Sequence, residues 1–191
     1  VIMEDVVQID FKKEVSPFSK FLPLSLSIII LSLDQLSKYL VVKFIEPYSI
    51  GASFLGGFLR IIHVANKGIA FSFGSGFQSS LRSILFGILP LIVLILVLIV
   101  YFRSKDFTAF QRWTICGIIG GGLGNLYDRF FRPNGVVDFI DVKFYGIFGF
   151  ERWPTFNIAD MGVLICGILL MVSFIIAIIK ESAEKKEQHD K

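Results

Sequence analysis

Two aspartates stand beside long apolar runs where few acids would be tolerated. Asp138 lies in Val136-Val137-Asp138-Phe139, and Asp160 lies in Phe156-Asn157-Ile158-Ala159-Asp160. No basic residue falls between Thr155 and Ile179 to neutralise Asp160 locally. Two carboxyl groups brought close cannot both ionise readily, so they share a proton at moderate pH. The ionised member can then take a proton from water while the protonated member polarises a carbonyl. That is peptide hydrolysis without a covalent intermediate, and such a pair titrates as a unit. Other hydrolytic chemistries are poorly supplied. His63 and His189 are the only histidines, and there is no His-Glu-x-x-His pattern or His/Cys cluster, so neither a metal nor a cofactor is expected. Nothing resembles a nucleophile elbow. Cys116 and Cys166 each sit inside an apolar run and read as small buried hydrophobes.

Further polar groups accompany the acids. Asn157 and Asp160 are three apart and would share a helix face. The stretch Gly120-Gly121-Gly122-Leu123-Gly124-Asn125-Leu126-Tyr127-Asp128-Arg129 places Asn125, Asp128 and Arg129 at helical spacing, an amide and an ion pair directed at a polar site. Gly120 and Gly124 form a small-xxx-small face on which a neighbouring backbone could rest. The run is not a dinucleotide fingerprint, since Asn125 occupies the position of the last glycine and no strand precedes it. Asp34 and Lys38 are one helical turn apart and are expected to pair, locking the first helix to its neighbours. A paired carboxylate is a poor general base, which sets Asp34 apart from the other acids.

The elements that must carry these groups are dictated by composition. Hydrophobic residues make up 54% of the 191 positions and charged ones 18%, where a soluble domain carries about a quarter. The 21 phenylalanines exceed what a soluble core of this size would bury. The net charge of +3 is scattered without a basic stripe, which argues against a nucleic-acid partner. Four apolar stretches, at 21–44, 81–102, 110–131 and 156–179, each reach the roughly 20 residues needed to cross a bilayer. The first and third contain Asp34, Lys38, Asp128 and Arg129, each costing about 2.5–3.5 kcal/mol on insertion scales, so each needs a reason to be there.

The expected fold is therefore a mainly α membrane protein, one membrane domain over 1–191 with four transmembrane helices. A small extracytoplasmic β-sheet, a cradle, is expected within 46–80, where Leu59–Val64 and Ala70–Phe73 are rich in strand formers. An amphipathic segment, Gly135 to Trp153, is expected before the fourth helix. Residues 1–20 read as a cytoplasmic N-terminal extension and 180–191 as a solvated cytoplasmic tail. No Ala-x-Ala-like cleavage site follows Leu33, so the first apolar run reads as a retained helix. An even number of crossings puts both termini on one side, and the density of Lys and Arg in the short flanks favours the cytoplasm.

The set Asp34-x-x-Ser37-Lys38, Asn66-x-Gly68-x-Ala70-Phe71, Gly121-x-x-Gly124-Asn125-x-x-Asp128-Arg129, Val137-Asp138-Phe139 and Phe156-Asn157-x-Ala159-Asp160 resembles lipoprotein signal peptidase (signal peptidase II). The motifs stand in that family's order and extend from about Ser32 to Ile179. The resemblance implies an aspartyl endopeptidase whose catalytic dyad falls on Asp138 and Asp160. It implies substrate-binding or supporting roles for Asn66, Gly68, Asn125, Arg129 and Asn157, and structural roles for Asp34, Lys38 and Asp128. It implies removal of signal peptides from diacylglyceryl-modified bacterial prolipoproteins, with the cut before the lipidated cysteine. The implied partners are membrane lipid, prolipoprotein substrates and cyclic peptide inhibitors of the globomycin kind, with the chain acting as a monomer. The implied location is the bacterial inner membrane, with the active site toward its outer face. Asp141, three residues after Asp138, is the next candidate should Asp138 prove silent. Two rival readings are a transporter or proton channel, for which internal repeats are lacking, and an assembly protein in which both acids merely cap helices. Membrane aspartyl proteases with a Gly-x-Gly-Asp signature fit less well, since Gly122-Leu123-Gly124 is followed by Asn125.

Overall fold

The computed structural model describes residues 20–67 and 84–189. The expected strand at Ala70–Phe73, the motif position Gly68, and most of the N-terminal extension lie outside the described residues.

Helix α1, Leu24–Phe44, ends where Ile45 turns to an extended conformation two residues before Pro47. Strands β1, Ile50–Phe54, and β2, Leu59–Asn66, form an antiparallel hairpin. A wide π-helical turn, Ile84–Ile88, leads into α2, Leu89–Arg103. Its cause is Pro90 in the first turn of α2: proline has no N–H to close a regular bond, and its ring crowds the carbonyl four residues back. Helix α3, Ala109–Phe131, starts on a capping box. The Gln111 amide donates to Thr108 Oγ1 (3.2 Å) and the Thr108 amide donates to Gln111 Oε1 (3.0 Å). It stops at Arg132, the residue before Pro133, as proline disfavours helical backbone in its predecessor.

Strand β3, Val136–Val142, completes a three-stranded antiparallel sheet of order β1-β2-β3. The first part of the expected amphipathic segment is thus a strand. The run Val136-Val137-Asp138-Phe139 is buried at all four positions, a pattern that suits a strand covered on both faces. The chain then reverses and returns beside β3, bridging Lys143 to Arg152 and Ile140 to Phe156. Helix α4, Ile158–His189, runs ten residues beyond Ile179, where a solvated tail was expected. Helix-forming Lys, Glu and Ala fill that extension, and Lys185 donates to Glu181 one turn earlier at 2.6 Å.

Three helical segments among the described residues, Leu24–Phe44, Ile84–Arg103 and the first 29 residues of α4, are long and apolar enough to cross a membrane. With the small sheet, they make this a mainly helical membrane protein. Helix α3 is 23 residues long but less apolar. It packs against α1, α2 and α4, and its Gln111, Arg112, Thr114, Asn125 and Asp128 are buried. Its polar groups therefore face protein, where hydropathy is not demanded of them.

Glycines let α3 sit that close. A Cβ on Gly120 would stand 2.7 Å from the Ser27 backbone of α1, and one on Gly121 would overlap the Ala159 carbonyl of α4. Leu94 and Tyr101 of α2 pack against Ile115, Cys116, Ile119 and Leu126 of α3. Val41 of α1 packs with Val137 and Phe139 of β3, tying the sheet to the bundle.

Candidate active site

The turn from α3 into β3 passes through Gly135 at φ 89°, where a Cβ would overlap the Asn66 carbonyl oxygen. Only glycine fits this approach, and it lets β2 end against the start of β3. The register pairs Asn66 with Val136 and Val64 with Asp138, so Asn66 and Asp138 are diagonal neighbours on one face. Asn66 Nδ2 donates to Asp138 Oδ2 at 2.9 Å.

The amides of Phe139 and Ile140 both donate to the Phe156 carbonyl (3.0 and 2.8 Å). That pairing delivers the start of α4 beside Asp138. Asn157 caps α4: its Oδ1 accepts from the Asp160 amide (3.0 Å), and Asp160 Oδ2 accepts from the Asn157 amide (3.1 Å). The buried Asn157 Nδ2 donates to Asp138 Oδ1 at 2.7 Å and to Asn125 Oδ1 at 3.1 Å. Asn125 Nδ2 donates to Asp160 Oδ1 at 2.7 Å. A continuous chain of side-chain contacts thus runs Asp138–Asn157–Asn125–Asp160.

Both acids line one cavity of about 290 Å³ together with Asn66, Asn125 and Arg129. Trp153, Phe156, Met161 and Leu164 form its apolar wall. Met161 and Leu164 are exposed on α4, so the cavity borders an exposed apolar side of that helix. Arg129 Nε is buried without a hydrogen-bond partner among the described residues, an unsatisfied donor beside two carboxyl groups. Burial pushes the Asp138 carboxyl up to about 6; the Asn66 hydrogen bond opposes this, the nearby Asp160 charge adds to it, and Asn157 and Lys38 oppose it. Burial thus favours the protonated form of Asp138, with a second carboxyl group, that of Asp160, in the same cavity.

A second polar cluster lies behind the cavity. Lys38, Asp34 and Asp128 are fully buried, with Lys38 Nζ 2.8 Å from Asp34 Oδ2 and 2.8 Å from Asp128 Oδ2. Lys38 Nζ also donates to Asn125 Oδ1 at 3.1 Å. Asp128 therefore parts from Asn125 and Arg129, with which its spacing grouped it: they line the cavity, while it pairs with Lys38 and with Arg132 Nε (2.8 Å). Four residues apart, Asn125 and Arg129 share a stripe from which Asp128 is rotated. Gln35 joins the cluster, donating to Asp34, Asp128 and the Gly124 carbonyl; sequence reasoning missed it, though a polar residue in an apolar run was a signal that could have found it. The apolar wall of the cavity had no such signal, because its residues look like any lipid-facing set.

Asp141 is held by Arg152, whose Nε donates to both its carboxylate oxygens (2.6 and 2.7 Å). It is spoken for as an ion-pair partner and does not line the cavity. Buried His63 has its Nδ1 2.8 Å from the Ile45 carbonyl, joining the sheet to the end of α1. No group of three or more His, Cys, Asp or Glu among the described residues is placed to hold a metal ion.

Comparison with known proteins gives this geometry its context. The family model described as Signal peptidase (SPase) II matches residues 26–176. The chain is 53% identical over 156 residues to the lipoprotein signal peptidase of Treponema pallidum, covering 82% of this chain and 84% of that protein. It is 48% identical over 165 residues to the lipoprotein signal peptidase of Treponema denticola, covering 86% and 95%. Its fold matches a bacterial membrane enzyme solved by the in meso method at 2.3 Å resolution, with a TM-score of 0.70, 30% identity, and 92% and 96% of the two chains covered. The matched region contains both cavity acids and every asparagine that holds them, and the chain belongs to the signal peptidase II family of aspartic-type membrane peptidases.

Proposed function

We propose that this protein removes signal peptides from prolipoproteins whose cysteine already carries diacylglycerol, cutting immediately before that cysteine. The observation that carries the reading is the shared cavity of Asp138 and Asp160, joined through Asn157 and Asn125. In this reading one carboxylate takes a proton from a water held between the acids as that water attacks the scissile carbonyl. The protonated partner donates toward the carbonyl oxygen, and the proton taken from water passes to the leaving amine as the tetrahedral diol collapses and returns a proton to the partner. The elevated titration of Asp138 supports a shared proton at working pH.

Asn66 and Asn157 hold Asp138, and Asn125 holds Asp160. The unsatisfied Arg129 Nε is supplied for a substrate carbonyl. Gly68 is assigned a substrate-binding role by its motif alone. Asp34, Lys38 and Asp128 form the buried frame. The exposed apolar flank at Met161 and Leu164 suits lateral entry, which would leave the substrate's acyl chains in the bilayer.

The same reading makes α3 a fourth span, since its 23 residues are long enough to cross and its Gln111, Arg112, Thr114, Asn125 and Asp128 are buried. It places the termini in the cytoplasm, the sheet and cavity at the outer face of the inner membrane, and a single copy as the working unit. Cyclic peptide inhibitors of the globomycin kind would occupy the cavity.

The test supplies the purified protein in lipid with a diacylglyceryl-modified prolipoprotein and its unmodified counterpart. Mass spectrometry should find a product beginning with the lipidated cysteine, and cleavage of the modified substrate should predominate. No product, or equal cleavage of both, contradicts the proposal.

A further inference from the structure

The buried Asp34–Lys38–Asp128 cluster does not touch the cavity, yet each of its members reaches toward one of the two acids. Asp34 Oδ1 accepts from the amide of Ala159, the residue immediately before Asp160, at 2.9 Å. Asp128 Oδ2 accepts from the amide of Val137, the residue immediately before Asp138, at 3.2 Å. Lys38 donates to Asn125, which in turn donates to Asp160.

The amide of Ala159 is one of the donors in the first turn of α4 that has no partner within the helix. A carboxylate from α1 meets it, where both the free donor and the helix dipole favour negative charge. The amide of Val137 lies in the first turnings of β3, and a carboxylate from the last turn of α3 meets it. The two segments carrying the acids are far apart in sequence, but they are pinned to carboxylates that one ammonium group holds together.

Lys38 also decides which way Asn125 points. An ammonium has donors only, so the atom of Asn125 that faces it must be the oxygen. The Asn125 NH₂ group is thereby turned to Asp160. A flipped amide would set N–H against Lys38 and a carbonyl against a carboxylate. Lys38 spends its three protons on Asp34, Asp128 and Asn125, so the ammonium is fully satisfied.

We infer that Lys38 is a positioning residue for the hydrolytic reaction, setting the spacing and orientation of Asp138 and Asp160 through the Asp34–Ala159, Asp128–Val137 and Asn125–Asp160 hydrogen bonds. A purely structural ion pair would hold helices together without regard to which amides it meets. Here its carboxylates meet the amides that directly precede the two acids. The inference rests on the dyad reading above.

The experiment compares wild type, Lys38→Met and Lys38→Arg, purified in lipid and normalised to the folded, monodisperse fraction, with Asp138→Asn as reference. Lys38→Met removes the ammonium. Lys38→Arg keeps the charge in the buried cluster but replaces a tetrahedral donor with a planar fork. Misplacing reacting groups by about 1 Å costs on the order of 100-fold, so kcat per folded molecule of Lys38→Met should fall about that far with KM little changed. Lys38→Arg should lie between the two. The pH–rate profile of each folded variant should shift, because the groups facing the dyad have moved, and a loss of folded protein alone would not move it. Wild-type kcat and pH profile in the folded fraction of either variant, with only the melting temperature lowered, overturns the inference. If Lys38→Met gives no folded protein, Lys38→Arg decides alone. Undiminished cleavage by Asp138→Asn would instead defeat the dyad reading itself, so the two failures are distinguishable.

Discussion

Asn157 meets Asp138 through its side chain, Nδ2 to Oδ1 at 2.7 Å, while it caps the helix that bears Asp160. One residue is therefore the joint between the strand that carries one acid and the helix that carries the other. Asn157→Ala removes the cap and the joint together. The cap alone costs about 1 kcal/mol, seen as a lowered melting temperature. Cleavage should fall much further than that loss of stability explains, and a kcat assay on the folded fraction checks it.

The titration of Asp138 sets a pH window. Its carboxyl is raised to about 6, mainly by burial, against an unfolded value near 3.9. The folded state thus binds this proton more tightly, so its contribution to stability is fully present below the unfolded value and is lost as pH rises through about 6. For activity, kcat/KM of the free enzyme should decline as the shared proton is lost on the same rise. Asn66 donates to the ionised form and opposes the shift, so Asn66→Ala should move the decline to higher pH. A pH–rate series of kcat/KM for both proteins reads this directly.

Glycine positions on α3 differ in what lies against them. Gly121→Ala would drive a methyl group into the Ala159 carbonyl and Val163 of α4, immediately beside Asp160. Overpacking of this kind costs about 1–3 kcal/mol, and the displaced helix should lower kcat as well. Gly122→Ala meets only the end of the Leu94 side chain at 3.3 Å and should be tolerated. Thermal unfolding and cleavage rates of the two variants provide the comparison.

The ion pair on the sheet gives a different signature. Arg152 grips Asp141 and also donates to the Gly57 carbonyl in the hairpin turn, so it fastens the hairpin to β3. Asp141→Asn should keep kcat near wild type. Arg152→Ala should lower stability by roughly 1–3 kcal/mol and raise KM as the cradle loosens. Loss of kcat in Asp141→Asn equal to that in Asp138→Asn would return Asp141 to the catalytic list.

Much of the site could be read from residue types because polar groups in an apolar chain are costly and therefore conspicuous. Asp138, Asp160, Asn125 and Asn157 were visible in that way, and the structure brings them together. The ion pairing of Asp34 with Lys38 followed from helical spacing. The side on which Asp128 points did not, since a residue 60° off a stripe can serve either side and tertiary partners decide. Strand β3 was obscured because its continuous apolar run has no alternation, the mark of a strand covered on both faces. The polar, glycine-rich α3 reads as a weak span for a related reason: its Gln111, Arg112, Thr114, Asn125 and Asp128 are buried against protein, while Trp113, Tyr127 and Phe130 are exposed. The extension of α4 past Ile179 depended on propensity and one surface pair, which apolar patterning does not register.

In the proposed mechanism Asp138 and Asp160 act as one hydrolytic pair. The most direct measurement is cleavage of a diacylglyceryl-modified prolipoprotein by purified Asp138→Asn and Asp160→Asn, each shown to be folded by its melting curve. Either substitution should abolish cleavage while leaving folded protein. Near wild-type cleavage by either one would contradict that mechanism.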